Sequence, residues 1–350
     1  MKKWEENIRQ VTPYVPGEQP QEENIIKLNT NENPYPPTRK AVEAYLTTDF
    51  TKLGLYPDPT ASELVGALEK YYGLEEGQVT VGAGSDDVLS LSFLTFFNSD
   101  KPILFPDVTY SFYPVWAEVY RIPYECPPLD KDFRIRPEDY KKENGGIVIA
   151  NPNAPTSLGM ASSEIEEILQ ANPDVIVIVD EAYVDFGGES MLPLLSRYEN
   201  LLIVRTYSKS RSLAGMRIGF AMGSKELIQA LRNVQASINS YPLTRETIRV
   251  GSAALEDEEM FQKNLKRVLH TREWAKKELE QRGFLVLDSQ TNFLFARHER
   301  VSGQRLFEKL RDRGIYVRHF NGERIREYLR ITVGTKEQME RLVSTLDELL

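Results

Sequence analysis

The stretch V-I-V-I-V-D-E-A-Y, Val175 to Tyr183, places a carboxylate directly after five consecutive β-branched apolar residues. A short apolar run without alternation is typical of a strand buried on both faces, as in a parallel sheet covered by helices. Four more runs of this kind are followed by polar or glycine-rich breaks: Q-V-T-V-G from Gln78, K-P-I-L-F from Lys101, G-G-I-V-I-A from Gly145 and L-L-I-V-R-T from Leu201. The region is therefore predicted to form an α/β domain with a mostly parallel sheet.

The pattern changes after Gly283, where short apolar runs are mixed with two helical stretches. Such a mixture indicates a smaller α+β domain. The break Ser240-Tyr241-Pro242 ends the first region, and the N-terminal residues, rich in proline and asparagine, read as an arm packed on a neighbour. We therefore expect an arm over residues 1–35, a large domain over 36–243 and a small domain over 244–350.

The composition limits the classes of partner. The chain has 350 residues, with no apolar run long enough to span a membrane and no signal peptide, so the cytoplasm is the expected location. A single cysteine excludes an internal disulfide, and three scattered histidines argue against a metal site. With 43 basic and 52 acidic residues, the net charge of −9 argues against nucleic-acid and membrane partners.

Polar and aromatic side chains follow the predicted strands at the points where the strands end. In open α/β sheets the ligand lies outside the carboxyl ends of the strands. The segments in question are residues 82–86, 106–110, 151–153, 180–183 and 206–209. One edge of the sheet is thus expected to gather a glycine turn that opens a helix, an aromatic ring, an asparagine, a carboxylate, a tyrosine and a lysine.

This set matches the needs of one cofactor. Taken singly, Lys209 reads as a solvated lysine and Arg217 as an ion-pair partner, whereas Asp180 after a buried strand needs a cation or donor beside it. Pyridoxal phosphate requires a lysine for its aldehyde, a carboxylate for its ring nitrogen and a cup for its phosphate. Lys209 and Asp180 fill the first two roles. The remaining predicted cofactor contacts are Gly84, Ser85, Asp86, Thr206, Ser208 and Arg217 at the phosphate, Asn153 and Tyr183 at the ring hydroxyl, and Tyr110 stacked on the ring.

Several motifs along the chain resemble those of the fold-type I pyridoxal-phosphate aminotransferases, and within them the histidinol-phosphate aminotransferases. They are L-N-T-N-E-N-P at Leu28, L-Y-P-D-P at Leu55, G-A-G-S-D-D at Gly82, N-P-N-A-P-T at Asn151, V-D-E-A-Y-V-D-F at Val179, S-K-S-R-S-L-A-G-M-R at Ser208 and Y-L-R-I-T-V-G-T at Tyr328. The resemblance implies a large domain with a mostly parallel seven-stranded sheet and a smaller α+β domain.

The resemblance also implies how substrates are held. Arg330 resembles the arginine that takes the substrate carboxylate or phosphate, and Arg318 and Tyr14 resemble its helpers at the phosphate of histidinol phosphate. Asn31 lies in the segment that lines the substrate site. The family forms homodimers, and Tyr56 resembles the tyrosine that reaches the cofactor phosphate of the other subunit.

The implied reaction moves the amino group of histidinol phosphate to 2-oxoglutarate, giving imidazole acetol phosphate and glutamate in histidine biosynthesis. Lys209 would move the proton, with Asp180 and Tyr183 as its catalytic partners. Two enzymes of the same fold stay open as alternatives, an aromatic amino acid aminotransferase and a threonine-phosphate decarboxylase. A non-catalytic regulator of transcription that binds the cofactor is a third, which the lack of a basic or helix-turn-helix segment disfavours.

Three positions depart from the family pattern. Ala154 and Ser157 replace an asparagine and a glycine in the loop that carries Asn153, and Asp87 stands where glutamate is common. The first two asparagines of the loop are kept, so we expect altered loop contacts and unchanged cofactor binding. A shorter carboxylate in the first turn of a helix still suits the helix dipole.

Overall fold

The computed structural model describes residues 2–20, 22 and 24–350; residues 1, 21 and 23 of the predicted arm lie outside the described residues. Thirteen strands are formed by these residues. They are β1 (Ile26–Lys27), β2 (Val79–Gly82), β3 (Ile103–Leu104), β4 (Tyr124–Glu125), β5 (Gly146–Ala150), β6 (Val177–Asp180), β7 (Leu201–Thr206), β8 (Gly219–Met222), β9 (Phe284–Val286), β10 (Phe293–His298), β11 (Ile315–Tyr316), β12 (Arg318–His319) and β13 (Leu329–Thr332).

Seven of these strands form the large sheet, in the order β2-β8-β7-β6-β5-β3-β4. Strands β4, β3, β5, β6 and β7 are parallel to one another, and β8 runs antiparallel to β7 and β2. The predicted mostly parallel seven-stranded sheet is confirmed. The register pairs Ala150 with Asp180 and Thr206 with Gly219, so the ends of β5, β6 and β7 lie at one edge, which we call the carboxyl edge.

Helices cover both faces of this sheet, which explains why its strands are continuous apolar runs. Ile147, Val177 and Ile203 belong to the core on one face, and Val148 and Ile178 belong to the core on the other. The helices of the chain are α1 (Arg39–Leu46), α2 (Ser62–Tyr72), α3 (Ser85–Phe96), α4 (Phe112–Tyr120), α5 (Ser162–Ala171), α6 (Lys225–Ile238), α7 (Arg245–Ala253), α8 (Glu258–Glu280), α9 (Gly303–Asp312) and α10 (Lys336–Leu349).

The C-terminal strands form a separate four-stranded antiparallel sheet in the order β12-β13-β10-β9. Its core includes Leu294, Leu306 and Leu342 from β10, α9 and α10. The N-terminal strand β1 pairs in parallel with β11, which ties the N-terminal segment to this part of the molecule. An α/β fold with a second, smaller α+β assembly is therefore present, as the sequence predicts.

The boundaries at residues 35 and 243 remain predictions. Helix α7, which lies beyond the second boundary, packs against α1 and α2, and its Ile248 and Val250 belong to the core that the large sheet shares. Among the described helices, none is both long and apolar enough to cross a membrane.

Candidate active site

A cavity of about 210 Å³ opens at the carboxyl edge of the large sheet. It is closed on its other side by the N-terminal segment and by strands β12 and β13. Most of the predicted site residues line it: Tyr14, Asn31, Ser85, Asp86, Tyr110, Asp180, Tyr183, Thr206, Ser208, Lys209, Arg217, Arg318 and Arg330. Residues that are scattered over more than 300 positions of the chain thus share one cavity.

Lys209 lies three residues beyond the end of β7. Its Nζ atom is 3.4 Å from the carbonyl oxygen of Thr30 and 5.7 Å from the centre of the Tyr183 ring. The Asn33 side-chain amide donates hydrogen bonds of 3.1 Å to the backbone carbonyls of Lys209 and Ser210. The N-terminal segment therefore fixes the backbone that carries the lysine, while the amine itself makes only one long hydrogen bond among the described residues.

Asp180 ends β6 and is buried. Because side chains alternate along a strand, it faces the same side of the sheet as Ile178, where α4 provides Tyr113. The Tyr113 hydroxyl donates a hydrogen bond of 3.0 Å to Asp180 Oδ2, and the N–H of Ala182 donates one of 3.1 Å to Oδ1.

Burial raises the pKa of Asp180 to about 6, and the charges of Asp86 and Glu181 add to this effect, against the two hydrogen bonds that lower the pKa. No cation forms an ion pair with Asp180 in the described part of the chain. A buried carboxylate without a counter-charge is costly, so a protonated ring nitrogen fits this position.

The start of α3 provides an anion site at the other end of the cavity. Gly84 is the residue before the helix, with φ of 96°, and the backbone N–H groups of the first turn have no partner within the helix. A Cβ atom on Gly84 would lie 2.3 Å from Nη2 of Arg217, which packs directly on this glycine. The polar contacts of the Arg217 side chain with the described residues are long, 3.6 Å to Asp86 and 3.5 Å to the carbonyl of Ala214. Its guanidinium is therefore available to a phosphate.

Hydroxyl groups complete this end of the cavity. Thr206 Oγ1 lies 2.9 Å from Ser208 Oγ and accepts a hydrogen bond of 3.1 Å from the Ser208 N–H. The Tyr110 hydroxyl donates a hydrogen bond of 2.8 Å to Asp86, which holds the ring of Tyr110 at the wall. Backbone donors, two hydroxyls and an arginine thus converge where the phosphate cup is predicted.

Two arginines face the cavity from the small sheet. Arg318 of β12 and Arg330 of β13 are opposite each other in the antiparallel register. Their hydrogen bonds go to backbone carbonyls, from Arg330 to Asn29 and from Arg318 to Val15 and Pro16. Arg330 Nε is buried without a hydrogen-bond partner in the described structure, and burial lowers the pKa of this arginine. Neither guanidinium forms an ion pair with a described carboxylate, so the pair can bind an anionic substrate.

Three predicted cofactor residues do not line the cavity. Gly84 lies just before Ser85. Asn153 uses its side-chain amide on its own loop and on the segment after β3, donating to Thr156 and to the Val108 carbonyl and accepting from Thr109. Tyr56 is 78% exposed and stacks on Tyr241 at 4.6 Å. The cofactor contacts assigned to these three residues remain predictions.

A family comparison decides the class of this chain. The model of the aminotransferase class I and II family matches residues 23–346. The chain belongs to the class I and II aminotransferases.

Two relatives of this aminotransferase are similar over almost their full lengths. The histidinol-phosphate aminotransferase of Clostridium beijerinckii is 48% identical over 345 residues, 99% of this chain and 96% of the relative. That of Lactococcus lactis subsp. lactis is 52% identical over 346 residues, 98% of this chain and 95% of the relative.

Solved structures of lower identity share the fold of this aminotransferase. The histidinol-phosphate aminotransferase of Clostridium acetobutylicum superposes with a TM-score of 0.85 at 22% identity, over 93% of this chain and 99% of its own. The Sinorhizobium meliloti enzyme, solved in complex with pyridoxal-5'-phosphate, gives a TM-score of 0.85 at 20% identity, over 93% and 92% of the two chains.

Sequence analysis missed several residues at the site of this aminotransferase. Tyr113 contacts Asp180, Thr30 contacts Lys209, and Asn29 and Glu32 line the cavity. Asn33 holds the backbone at Lys209. The motif L-N-T-N-E-N-P contains four of these five residues and was the available signal. Tyr113 gave none, because its position depends on how α4 packs on the sheet.

Proposed function

We propose that this aminotransferase uses pyridoxal phosphate to move the amino group of histidinol phosphate to 2-oxoglutarate. The products are imidazole acetol phosphate and glutamate, and the reaction belongs to histidine biosynthesis. The observation that carries the proposal is the cavity itself, where Lys209 and the buried Asp180 lie between an anion site at α3 and a second anion site at Arg318 and Arg330. The two relatives named above support the choice of substrate.

The residues at the carboxyl edge fit the cofactor. Asp180 needs a positive partner, and Gly84 leaves room for Arg217 at the start of α3. The N–H groups of that helix, with Ser85, Thr206, Ser208 and Arg217, would hold the phosphate. When bound, the cofactor supplies an aldehyde that takes up the donor amine and a ring that accepts electrons from the donor carbon.

Lys209 carries out the proton transfers in this proposal. Its amine would hold the cofactor through the aldehyde in the resting enzyme and, when free, would carry the proton at the donor carbon. The single 3.4 Å contact to the Thr30 carbonyl leaves the amine free to move. Asp180 would hold the protonated ring nitrogen with its negative charge, and Tyr183, which accepts a hydrogen bond of 2.9 Å from Asn31, would contact the ring hydroxyl.

Arg318 and Arg330 hold the anionic end of each substrate. Histidinol phosphate offers a phosphate there, whereas glutamate and 2-oxoglutarate offer a carboxylate. A pair of arginines can meet either group, because each presents several N–H donors in one plane. The backbone carbonyls of Asn29, Val15 and Pro16 orient the two guanidinium groups without neutralising them.

An exposed apolar surface supports a homodimer. Leu53, Leu55 and Tyr56 are exposed by 64%, 64% and 78%, and Tyr241 lies against Tyr56. Clusters of this kind mark protein interfaces. In the proposed dimer Tyr56 serves the cofactor phosphate of the partner subunit. The cytoplasm remains the predicted location.

A steady-state assay tests the proposed reaction. The cofactor-loaded enzyme is supplied with 2-oxoglutarate and, in turn, histidinol phosphate, phenylalanine or threonine phosphate, and glutamate and carbon dioxide are measured. We expect glutamate formation with the highest kcat/KM for histidinol phosphate. A preference for phenylalanine would make the enzyme an aromatic aminotransferase, and carbon dioxide from threonine phosphate would make it a decarboxylase.

A further inference from the structure

The two substrate arginines are carried by adjacent strands that one connection joins. Arg318 lies in β12 and Arg330 in β13, and residues 320–328 run between these strands. Within the connection, the N–H groups of Ile325 and Arg326 donate to the carbonyl of Gly322 at 3.0 and 2.8 Å. The connection is therefore a defined turn, and its two ends continue into the strands that carry the two arginines.

Arg324 extends from this connection to the segments that follow β3 and β4 of the large sheet. Its Nη1 donates a hydrogen bond of 2.7 Å to Asp107 Oδ2, and its Nη2 donates to the carbonyls of Leu129 and Asp130 at 3.0 and 2.7 Å. The guanidinium also lies 5.4 Å from the centre of the Phe133 ring. One side chain thus makes three hydrogen bonds and a cation–π contact across about 200 positions of sequence.

The acceptor Asp107 lies shortly before Tyr110, which lines the cavity. It follows β3 and accepts a hydrogen bond of 2.8 Å from the N–H of Leu129. Residues 108–110 come next, where Thr109 binds Asn153 at 2.7 Å and Tyr110 binds Asp86 at 2.8 Å. Arg324 therefore connects the turn of the two arginines with the wall that carries Tyr110.

We propose that Arg324 is a positioning residue that sets the distance across the cavity between the Tyr110 wall and the Arg318–Arg330 pair. This inference rests on the proposed function of those arginines. An isolated ion pair that is about one-third exposed contributes little. The Arg324 guanidinium differs from such an isolated pair because two of its three acceptors are backbone carbonyls. These acceptors lose no side-chain rotamer freedom when the hydrogen bonds form.

The expected consequence is a change in KM with little change in kcat. Arg318 and Arg330 bind the substrate anion equally before and during the reaction, so displacing them weakens both states alike. Loss of three partly exposed hydrogen bonds raises KM about five- to tenfold for both histidinol phosphate and 2-oxoglutarate. Cofactor binding stays unchanged, because Tyr110 keeps its own hydrogen bond to Asp86 and because Lys209, Asp180 and Ser85 are held by the large sheet and α3.

Arg326 offers a matched control in the same connection. Its side chain is 63% exposed and contacts only Glu327, at 3.7 Å, among the described residues. We would compare wild type with R324A, R324K and R326A by steady-state kinetics with each substrate varied and by cofactor titration. Amide hydrogen exchange without substrate gives a readout that is independent of activity.

The proposal expects R324A to raise both KM values, R324K to lie between R324A and wild type, and R326A to match wild type. It also expects faster exchange of amides over residues 318–332 in R324A, with unchanged exchange over residues 201–206. Kinetics of R324A that equal those of R326A would overturn the proposal. A rise in KM accompanied by a fall in both kcat and cofactor affinity would also overturn it. If wild type does not turn over histidinol phosphate, the proposed donor is wrong, and the role of Arg324 is still tested. The variants are then compared by their KM for 2-oxoglutarate with whichever donor the enzyme accepts.

Discussion

The carboxyl edge of the large sheet and the pair of strands that carries Arg318 and Arg330 place their charged groups in different ways. At the carboxyl edge, Asp180 ends a buried strand in the middle of seven, and its oxygens accept hydrogen bonds from protein. The two arginines lie on short strands of a smaller sheet and are oriented by carbonyls of the N-terminal segment. The carboxyl edge, with Asp180 fixed by these hydrogen bonds, suits a reaction that needs one geometry. The pair of strands with Arg318 and Arg330 suits the recognition of two different anions.

This comparison predicts that changes at the carboxyl edge act on kcat and that changes at the arginines act on KM. Replacing Lys209 should have the largest effect. K209A is expected to lose about 10⁴-fold in kcat, because no other described amine lines the cavity to move the proton. The variant should still take up cofactor through the contacts at α3, which absorbance after gel filtration measures. K225A, an exposed lysine paired with Glu75, is the control and should match wild type. Full turnover by K209A would remove Lys209 from the mechanism.

Replacing Asp180 should have the second largest effect. D180N keeps the shape of the side chain and an acceptor for Tyr113 but loses the charge beside the ring nitrogen. We expect kcat to fall about 10²- to 10³-fold, because charge stabilisation in a buried site is lost. Y113F removes only one hydrogen bond to the carboxylate and should cost less than tenfold. If D180N kept kcat within threefold of wild type, the electrostatic role of Asp180 would be wrong.

The Asp180 carboxyl group should make the free energy of unfolding of the cofactor-free protein depend on pH. The pKa of Asp180 is about 6 in the folded chain and its ordinary value is 3.8. The folded state therefore binds more protons between these values, so the free energy of unfolding falls as pH rises from about 4 to about 6. The contribution of this group is about 3 kcal/mol.

Urea unfolding of wild type and D180N at pH 4.5 and pH 7 measures how much Asp180 contributes to the change in the free energy of unfolding with pH. The other acidic groups are common to both proteins. Wild type should lose more stability than D180N over this interval. Equal pH dependence in the two proteins would mean that Asp180 titrates normally.

Changes at the arginine pair should have smaller effects than K209A and D180N, and these effects should appear in KM. R330Q is expected to raise the KM for histidinol phosphate about 30-fold, because a charge-assisted contact from a buried guanidinium is lost. R318Q should raise it less than tenfold, since water also reaches this side chain. Both variants should keep kcat within a few-fold of wild type. A loss of kcat without a change in KM would place these arginines in the chemical step and remove the contrast between the two regions.

The large sheet and the carboxyl edge could be predicted because local sequence determines them. Continuous apolar runs such as Val175 to Val179 require burial on both faces, and the polar residue after each run then lies at the edge. Asp180 follows from this argument, whereas Lys209 follows only when the residues at the edge are matched together to the needs of pyridoxal phosphate. The seven strands and the roles of Arg318 and Arg330 came from the family resemblance.

Other contacts could not be predicted, because they depend on how distant segments pack. Tyr113 reaches Asp180 only when α4 lies on the face that Ile178 shares. Arg324 binds Asp107 across two separate sheets, and nothing in the local sequence E-R-I-R-E distinguishes it from Arg326. The packing of Arg217 on Gly84, the residue before α3, likewise joins two distant segments of the chain.

In the proposed reaction, Lys209 and Asp180 act together in the transfer of the amino group from histidinol phosphate to pyridoxal phosphate. The most direct test mixes the cofactor-loaded enzyme with histidinol phosphate in the absence of any acceptor, and follows visible absorbance and the mass of the released product. We expect loss of the yellow colour and one imidazole acetol phosphate per active site. An enzyme that stays yellow with histidinol phosphate and releases no product, or a protein that takes up no cofactor, would contradict it.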